Sequence, residues 1–227
     1  MIAPQSLRFA LNHMTAPQFS LPEFFALASR LGIAEVEIRN DIGGQAILDG
    51  TLAADTRLMA EDAGVRIITI NALQRFNQWN ATRAEEAKAL VRYAAECGSG
   101  GLVLVPNNDG TGCADGERQA NIWTALKGIR RILDDSDVTG LVEALGFKVS
   151  SLRWKREAVE AIRDIDGAKT FRLTHDTFHH HLSGEPELFP EMTGLVHISG
   201  VRDPDVLIED MRDSHRVLVD AYDRLGT

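Results

Sequence analysis

The sequence predicts an α/β barrel of parallel strands, and three observations support that prediction. Short apolar or β-branched runs alternate seven times with longer segments in which apolar residues recur at helical spacing. No glycine-rich phosphate turn follows the first strand, where an open doubly wound sheet would place one. The length of 227 residues is close to the roughly 250 residues that are typical of a TIM (β/α)8 barrel.

The predicted strands are short and apolar, as expected for a parallel sheet that is covered by helices. The run Arg-Ile-Ile-Thr-Ile-Asn at 66–71 shows the pattern clearly, because β-branched residues favour strands. In chain order, the predicted strands are 7–12, Glu35–Arg39, 66–71, Gly101–Val105, 140–143, 170–176 and 195–199.

The predicted helices follow the strands, and several end at a glycine, which readily adopts the left-handed conformation that follows a helix. Gly32, Gly64 and Gly98 end the first three helices in this way. No linker rich in proline, serine or glycine divides the chain, so residues 1–227 are expected to form a single domain. The helices are expected at 21–31, 53–63, 83–96, 119–133, 156–165 and, in short or irregular form, 187–192 and 210–222.

The predicted barrel lacks its eighth strand and helix, because no further unit can be assigned before Thr227. Truncation of a longer chain is the preferred explanation, and a naturally incomplete barrel is the alternative. Either case would leave the edges of the first and seventh strands unpaired. We therefore expect a homo-oligomer that covers the gap, or a strand supplied by the segment 217–227.

Composition excludes several classes of protein. The chain is 44% hydrophobic and 25% charged, a balance typical of soluble globular domains. Its 33 acidic and 24 basic residues give a net charge of −9, so no global basic surface is available for nucleic acid or anionic lipid. Cys97 and Cys113 are too few for a disulfide framework or a thiolate zinc site. No bilayer-spanning run and no secretory signal is evident, so a cytoplasmic location is expected.

Polar residues at the carboxyl ends of the strands are the candidate site residues, because barrel enzymes place their chemistry there. Glu143, Asp176 and His197 lie at or near the ends of strands five, six and seven. Adjacent parallel strands lie about 4.8 Å apart, so three such side chains can converge on one ion. Oxygen and nitrogen ligands without thiolate suit Mn²⁺, Zn²⁺, Co²⁺ or Mg²⁺. A single carboxylate at a strand end is more often a helix cap or surface residue, but two carboxylates and a histidine at the ends of three consecutive strands favour a metal site.

Three further residues are candidates for binding substrate. His179 follows Asp176 by three residues, in the barrel mouth, where it can hold a substrate hydroxyl or support a metal ligand. Arg39 can bind a carboxylate or hydroxyl, although pairing with a neighbouring acid is an equal alternative. Asn71 can hydrogen-bond a polyol, with turn formation as the alternative.

Several motifs resemble the xylose isomerase-like barrel family, whose members include sugar isomerases, sugar epimerases and related lyases. The motifs are Leu-Val-Glu-Ala-Leu-Gly-Phe at 141–147, Asp-Thr-Phe-His at 176–179 and Val-His-Ile-Ser at 196–199. Glu-Ile-Arg at 37–39 and Asn-Ala-Leu at 71–73 are similar to the inosose isomerase-type branch, which is associated with inositol catabolism. The resemblance extends from the first strand to about residue 200.

The resemblance implies a divalent metal ion held by Glu143, Asp176 and His197, with His179 as a substrate-binding histidine. Glu143 would also act as the acid/base residue, and His179 is the second candidate catalytic residue. The family's fourth ligand, a glutamate on strand eight, has no counterpart in the sequence. Ala144 stands where proline is expected in related sequences, which affects backbone stiffness beside Glu143 more than its chemistry.

The expected function is that of an enzyme, a metal-dependent isomerase or epimerase of a sugar, inosose or related keto-polyol that acts through an enediolate. One alternative is a keto-inositol-type dehydratase on the same fold. Another is a catalytically inactive, incomplete barrel. Endonuclease action at abasic DNA is a further alternative, but the net charge of −9 argues against it. The expected partner is a small polyol or sugar, with neither nucleic acid nor membrane.

Overall fold

The computed structural model describes residues 8–43 and 46–198, apart from the side chains of residues 46 and 48. The strands are β1 (Ala10–Asn12), β2 (Glu35–Arg39), β3 (Arg66–Gln74), β4 (Gly101–Val105), β5 (Thr139–Glu143), β6 (Phe171–Asp176) and β7 (Thr193–His197). The helices are α1 (Leu21–Arg30), α2 (Ala46–Asp49), α3 (Ala53–Asp62), α4 (Ala81–Cys97), α5 (Glu117–Leu133), α6 (Lys155–Asp164) and α7 (Thr177–Ser183).

The described strands form one parallel sheet in which spatial order equals chain order, from β1 to β7. The sheet is strongly curved. Glu37 on β2 forms a hydrogen bond with His197 on β7, although the two strands are five positions apart in the sheet. Helices connect each strand to the next, as parallel pairing requires. The predicted α/β barrel class is therefore confirmed, with seven strands in the described part of the chain.

Apolar residues pack against both faces of the sheet. The outer layer lies between sheet and helices and buries Phe24 and Phe25 of α1 completely, together with Ile122 of α5. The inner layer contains Val103 and Leu141, with Ala72. Leu141 precedes Glu143 by two residues on the same face of β5, so the inner layer forms the floor on which the polar strand ends rest.

Most predicted elements are confirmed, with bounds that differ by a few residues. β3 continues to Gln74, because Ala72 and Leu73 are buried and extend the apolar run. The predicted helix at 187–192 forms only a 3₁₀ turn, Pro190–Met192, and β7 begins earlier than predicted. Residue 199 and the segments 210–222 and 217–227 lie outside the described residues. Within the described ranges, no helix is both long and apolar enough to cross a membrane.

Candidate metal centre

Three side chains come together at the carboxyl end of the sheet. Glu143 ends β5, Asp176 ends β6, and His179 lies in the first turn of α7. Each offers a potential ligand atom within 4.8 Å of those of the other two. Glu143 and Asp176 are buried, with 5% and 7% exposure, and His179 is half-buried. Two carboxylates and one imidazole in this arrangement can bind a single divalent cation.

Helix α7 fixes His179 beside Asp176. The carboxylate of Asp176 caps this helix, since its Oδ1 accepts hydrogen bonds from the backbone N–H groups of Phe178 at 2.8 Å and His179 at 2.9 Å. Gly184 follows the helix in the left-handed conformation. One side chain therefore ends the strand and starts the helix, and this capping sets the spacing of the two candidate ligands.

The loop after β5 packs closely against α7. Gly146 has φ 72°, and a β-carbon at this position would overlap the carbonyl oxygen of His179. The next residue, Phe147, packs edge-on against the imidazole of His179, with ring centroids 5.4 Å apart. The Gly-Phe pair in the 141–147 motif thus holds the histidine in the barrel mouth.

The residues present fit a divalent ion. The Nδ1 of His179 and the Oγ1 of Thr174 are buried and have no hydrogen-bond partner among the described residues. Buried polar atoms are usually satisfied, so an unmatched imidazole nitrogen beside two carboxylates indicates a ligand position. Carboxylate oxygens and imidazole nitrogen, without thiolate, suit Mn²⁺, Zn²⁺, Co²⁺ or Mg²⁺.

His197 connects Glu143 to β2. Its Nδ1 lies 3.0 Å from the Oε1 of Glu143, and its Nε2 lies 3.2 Å from the Oε2 of Glu37. Burial alone would lower the pKa of His197, but the charges and hydrogen bonds of the two carboxylates raise it well above 6.5. Because His197 is not in the cluster of Glu143, Asp176 and His179, its role as a metal ligand stays a prediction.

Glu37 is the buried residue at this site that the sequence analysis did not select. Its side chain is 3% exposed and accepts hydrogen bonds from Asn12, from Thr69 at 2.7 Å, from Asn71 at 3.2 Å and from His197. Burial would raise the pKa of Glu37, but the charge and hydrogen bond of His197, the hydrogen bond from Thr69 and the charge of Arg39 lower it overall. Charged and apolar residues alternate along β2, and in a barrel whose outer face is covered by helices this alternation directs the charged side chains inward.

Arg39 and Asn71 are close to the same site and are already engaged. Arg39 donates from Nε and Nη2 to Asp41, at 2.8 and 2.6 Å, which is the pairing considered as the alternative role. Burial alone would lower the pKa of Arg39, but Asp41, Glu37 and Glu143 raise it overall. Asn71 donates to Glu37, and its buried Oδ1 has no partner in the described ranges. Substrate binding by Arg39 and Asn71 stays a prediction.

A second buried polar cluster supports α7, and the sequence analysis did not identify it. The Nζ of Lys155 lies 3.1 Å from His175 Nδ1, 3.0 Å from His180 Nδ1 and 3.0 Å from the carbonyl oxygen of Glu187. Glu185 lies 3.7 Å from the same ammonium. Burial and the charge of Lys155 lower the pKa of both histidines. The lowered pKa values favour the neutral imidazoles, whose Nδ1 atoms can accept hydrogen bonds from the Lys155 ammonium.

The chain resembles known proteins in both sequence and fold. The family described as xylose isomerase-like TIM barrel matches residues 25–221. A xylose isomerase domain-containing protein from Salmonella typhimurium is 37% identical, with a TM-score of 0.75, over 87% of this chain and 72% of that chain. Among curated proteins there is no significant match.

Two solved structures of lower identity share the fold. An IOLI protein with a bound zinc atom is 19% identical, with a TM-score of 0.77, over 87% of this chain and 74% of that one. D-allulose 3-epimerase from Methylomonas sp., in complex with D-allulose, is 14% identical, with a TM-score of 0.68, over 94% of this chain and 81% of that one. The family match and the 37% identity confirm the predicted resemblance: this chain belongs to the xylose isomerase-like TIM-barrel family.

Proposed function

We propose that this protein is a divalent metal-dependent isomerase or epimerase of a sugar, an inosose or a related keto-polyol. The convergence of Glu143, Asp176 and His179 within 4.8 Å at the strand ends carries the proposal. Two proteins of the same fold support it, because one holds zinc and the other is an epimerase in complex with a ketose. The motifs similar to the inosose isomerase-type branch favour a polyol as substrate.

The proposed metal ligands are Glu143 and Asp176 together with His197, which the family resemblance assigns and whose Nδ1 lies 3.0 Å from Glu143. His179, which belongs to the same cluster and whose Nδ1 has no partner among the described residues, is proposed to bind a substrate oxygen beside the metal. Both carboxylates are buried, so their negative charges have little competition from water and favour a cation. A bound Mn²⁺, Zn²⁺, Co²⁺ or Mg²⁺ ion supplies a Lewis acid that stabilises negative charge on the carbonyl and hydroxyl oxygens of the substrate.

Glu143 is the proposed proton carrier. Its Oε1 accepts a hydrogen bond from His197 at 3.0 Å, which fixes the orientation of the carboxylate. The carboxylate takes the proton from the hydroxyl-bearing carbon and returns it to the former carbonyl carbon, while the hydroxyl proton moves to the former carbonyl oxygen. These transfers balance and convert a ketose into its isomer. Inversion at a single carbon would require a second base on the opposite face of the substrate.

Arg39, Asn71 and His179 are proposed to bind the substrate's hydroxyl groups. The bidentate pair with Asp41 immobilises the guanidinium of Arg39, so its orientation is set before substrate arrives. The buried Oδ1 of Asn71 can accept a hydrogen bond from a substrate hydroxyl. A homo-oligomeric state and a cytoplasmic location stay predictions.

The first experiment measures metal content in protein purified without a histidine tag. We expect near-stoichiometric Mn, Zn or Co in the unmodified chain and its loss in Asp176→Asn, which keeps a capping oxygen but removes the charge. Asp164→Asn, at the exposed end of α6, is the matched control and should retain the metal. Equal metal content in Asp176→Asn and the unmodified protein would contradict the proposed site.

The second experiment tests the reaction. The metal-loaded protein is incubated with inososes and ketoses in deuterated water, and the products are analysed by NMR and mass spectrometry. Incorporation of deuterium next to the carbonyl with no change in elemental composition is the expected result, and Glu143→Gln should abolish it. Loss of water from the substrate would instead indicate a dehydratase.

A further inference from the structure

We infer that Glu37 is a positioning residue for His197: it accepts the Nε2–H of this imidazole and so presents Nδ1 to the metal centre. The inference rests on the proposed metal site and adds to it a carboxylate that does not itself touch the metal. Its basis is the geometry of one histidine between two strands of the barrel.

The two nitrogens of His197 have different neighbours. Nε2 lies 3.2 Å from Glu37 on β2, and Nδ1 lies 3.0 Å from Glu143 on β5. An ionised carboxylate only accepts hydrogen bonds, so Nε2 must carry the proton that it shares with Glu37. Nδ1 likewise donates to Glu143 in the structure, and a metal ion held by Glu143 would displace that proton and leave Nδ1 as the ligand nitrogen. Carboxylates that accept from the other ring nitrogen of a metal-binding histidine fix its tautomer and orientation in this way.

Glu37 is itself held in one orientation. Thr69 donates to Oε2 at 2.7 Å, and Asn71 donates to Oε1 at 3.2 Å, as does Asn12. With both oxygens engaged and only 3% of the residue exposed, the carboxylate has little freedom to rotate. The acceptor for His197 is therefore in place before any metal binds, and this preorganisation is what a positioning residue provides.

A purely structural ion pair would have different consequences. It would stabilise the barrel, but it would not determine which nitrogen of His197 binds the metal. The metal-binding nitrogen and the metal affinity therefore separate the two roles, whereas thermal stability alone does not.

The first test compares zinc affinity in the unmodified full chain, in Glu37→Gln and in Glu35→Gln, by competition with a chromogenic chelator. We expect Glu37→Gln to weaken zinc binding about 10- to 100-fold, because its amide replaces one acceptor with a donor. Glu35 lies two residues earlier on β2 and pairs with Arg8 and Arg66, so Glu35→Gln should leave the affinity unchanged. Equal affinity in Glu37→Gln and the unmodified protein would overturn the inference.

The second test needs no substitution and so does not depend on the folding of a variant. Long-range ¹H–¹⁵N spectra of the zinc-loaded, unmodified protein should show His197 with a protonated Nε2 and with Nδ1 bound to zinc. Zinc on Nε2, or a proton on Nδ1, would overturn the inference. Zinc binding with the expected tautomer but no isomerisation would reject the proposed reaction and leave the role of Glu37 standing.

Discussion

The carbonyl oxygen of His179 occupies the space that a β-carbon on Gly146 would need. The two residues belong to different units of the barrel, Gly146 following β5 and His179 lying in α7. Their contact therefore sets the distance between the Glu143 strand end and the α7 histidine. It also gives a structural reason for glycine three residues after Glu143.

Substitution of Gly146 should disturb the proposed metal centre. Gly146→Ala places a side chain in the left-handed region, at a cost of about 1–2 kcal/mol, and forces α7 away from the β5 loop. Gly184→Ala is the matched control, because Gly184 has a similar φ of 66° but open space around its β-carbon position. We expect Gly146→Ala to lower the unfolding free energy by about 1–3 kcal/mol more than the control does, and to weaken zinc binding. Chemical denaturation and chelator competition measure the two effects, and equal losses in both variants would contradict this account.

The two roles of Asp176 can be separated in metal-free protein. In the presence of a chelator, Asp176→Ala should lower the unfolding free energy by about 1 kcal/mol, because α7 loses its cap. Asp176→Asn retains a capping oxygen and should be less destabilising, although both variants should fail to bind zinc. Urea denaturation with and without zinc makes the comparison. Equal stability of the unmodified protein and Asp176→Ala in chelator would mean that the cap contributes nothing.

Gly128 in α5 packs against the indole of Trp79, and a β-carbon at Gly128 would overlap that ring. Helix propensity alone would make Gly128→Ala stabilising by about 1 kcal/mol. Overpacking costs about 1–3 kcal/mol, so we expect net destabilisation. The double variant Gly128→Ala/Trp79→Leu should show a favourable coupling energy in a double-mutant cycle measured by urea denaturation. Additive effects would show that the overlap relaxes without cost.

The two cysteines should differ in reactivity. Cys97 is 3% exposed, and burial raises the pKa of its thiol to about 11, whereas Cys113 is half-buried. At pH 8, native protein should therefore show one fast-reacting thiol in a disulfide-exchange assay, and Cys113→Ser should remove it. Two fast thiols in the native protein would contradict the burial of Cys97.

The raised pKa of Cys97 also predicts that the unfolding free energy decreases at high pH. The unfolded thiol ionises near pH 9, before the folded one, so the unfolding free energy should fall as the pH rises from about 9 towards 11. A shift of about two pH units corresponds to about 2–3 kcal/mol. Denaturation of the unmodified protein and Cys97→Ala at pH 8 and pH 10.5 tests this prediction. The loss should be smaller in Cys97→Ala, and an equal loss would assign it to other groups.

The barrel class was predictable from the sequence because its signals are local. Apolar runs, helical spacing and terminal glycines each involve neighbouring residues, and most of the elements that they predict are present in the described part of the chain. The convergence of Glu143 and Asp176 was also predictable, since the carboxyl ends of adjacent parallel strands share one edge of the sheet.

Contacts across the barrel were not predictable in this way. Glu37 and His197 lie on strands that are not neighbours, so only the curvature of the sheet brings them together. α7 was also missed, because its histidine-rich segment has no apolar periodicity and depends on the Asp176 cap and on the Lys155 cluster. Tertiary contacts decide both features.

The hydrogen bond between Glu37 and His197 joins residues separated by 160 positions. During synthesis from the amino terminus, Glu37 leaves the ribosome long before His197, at rates of about 5–20 residues per second. Through that interval, the carboxylate lacks the partner that lowers its pKa and compensates its burial. Burying this carboxylate without its partner costs free energy, so a nascent chain that ends before β7 is more stable with Glu37 exposed to water. The hydrogen bond from His197 to Glu37 requires β7, so the proposed metal centre cannot be completed before β7 has been synthesised.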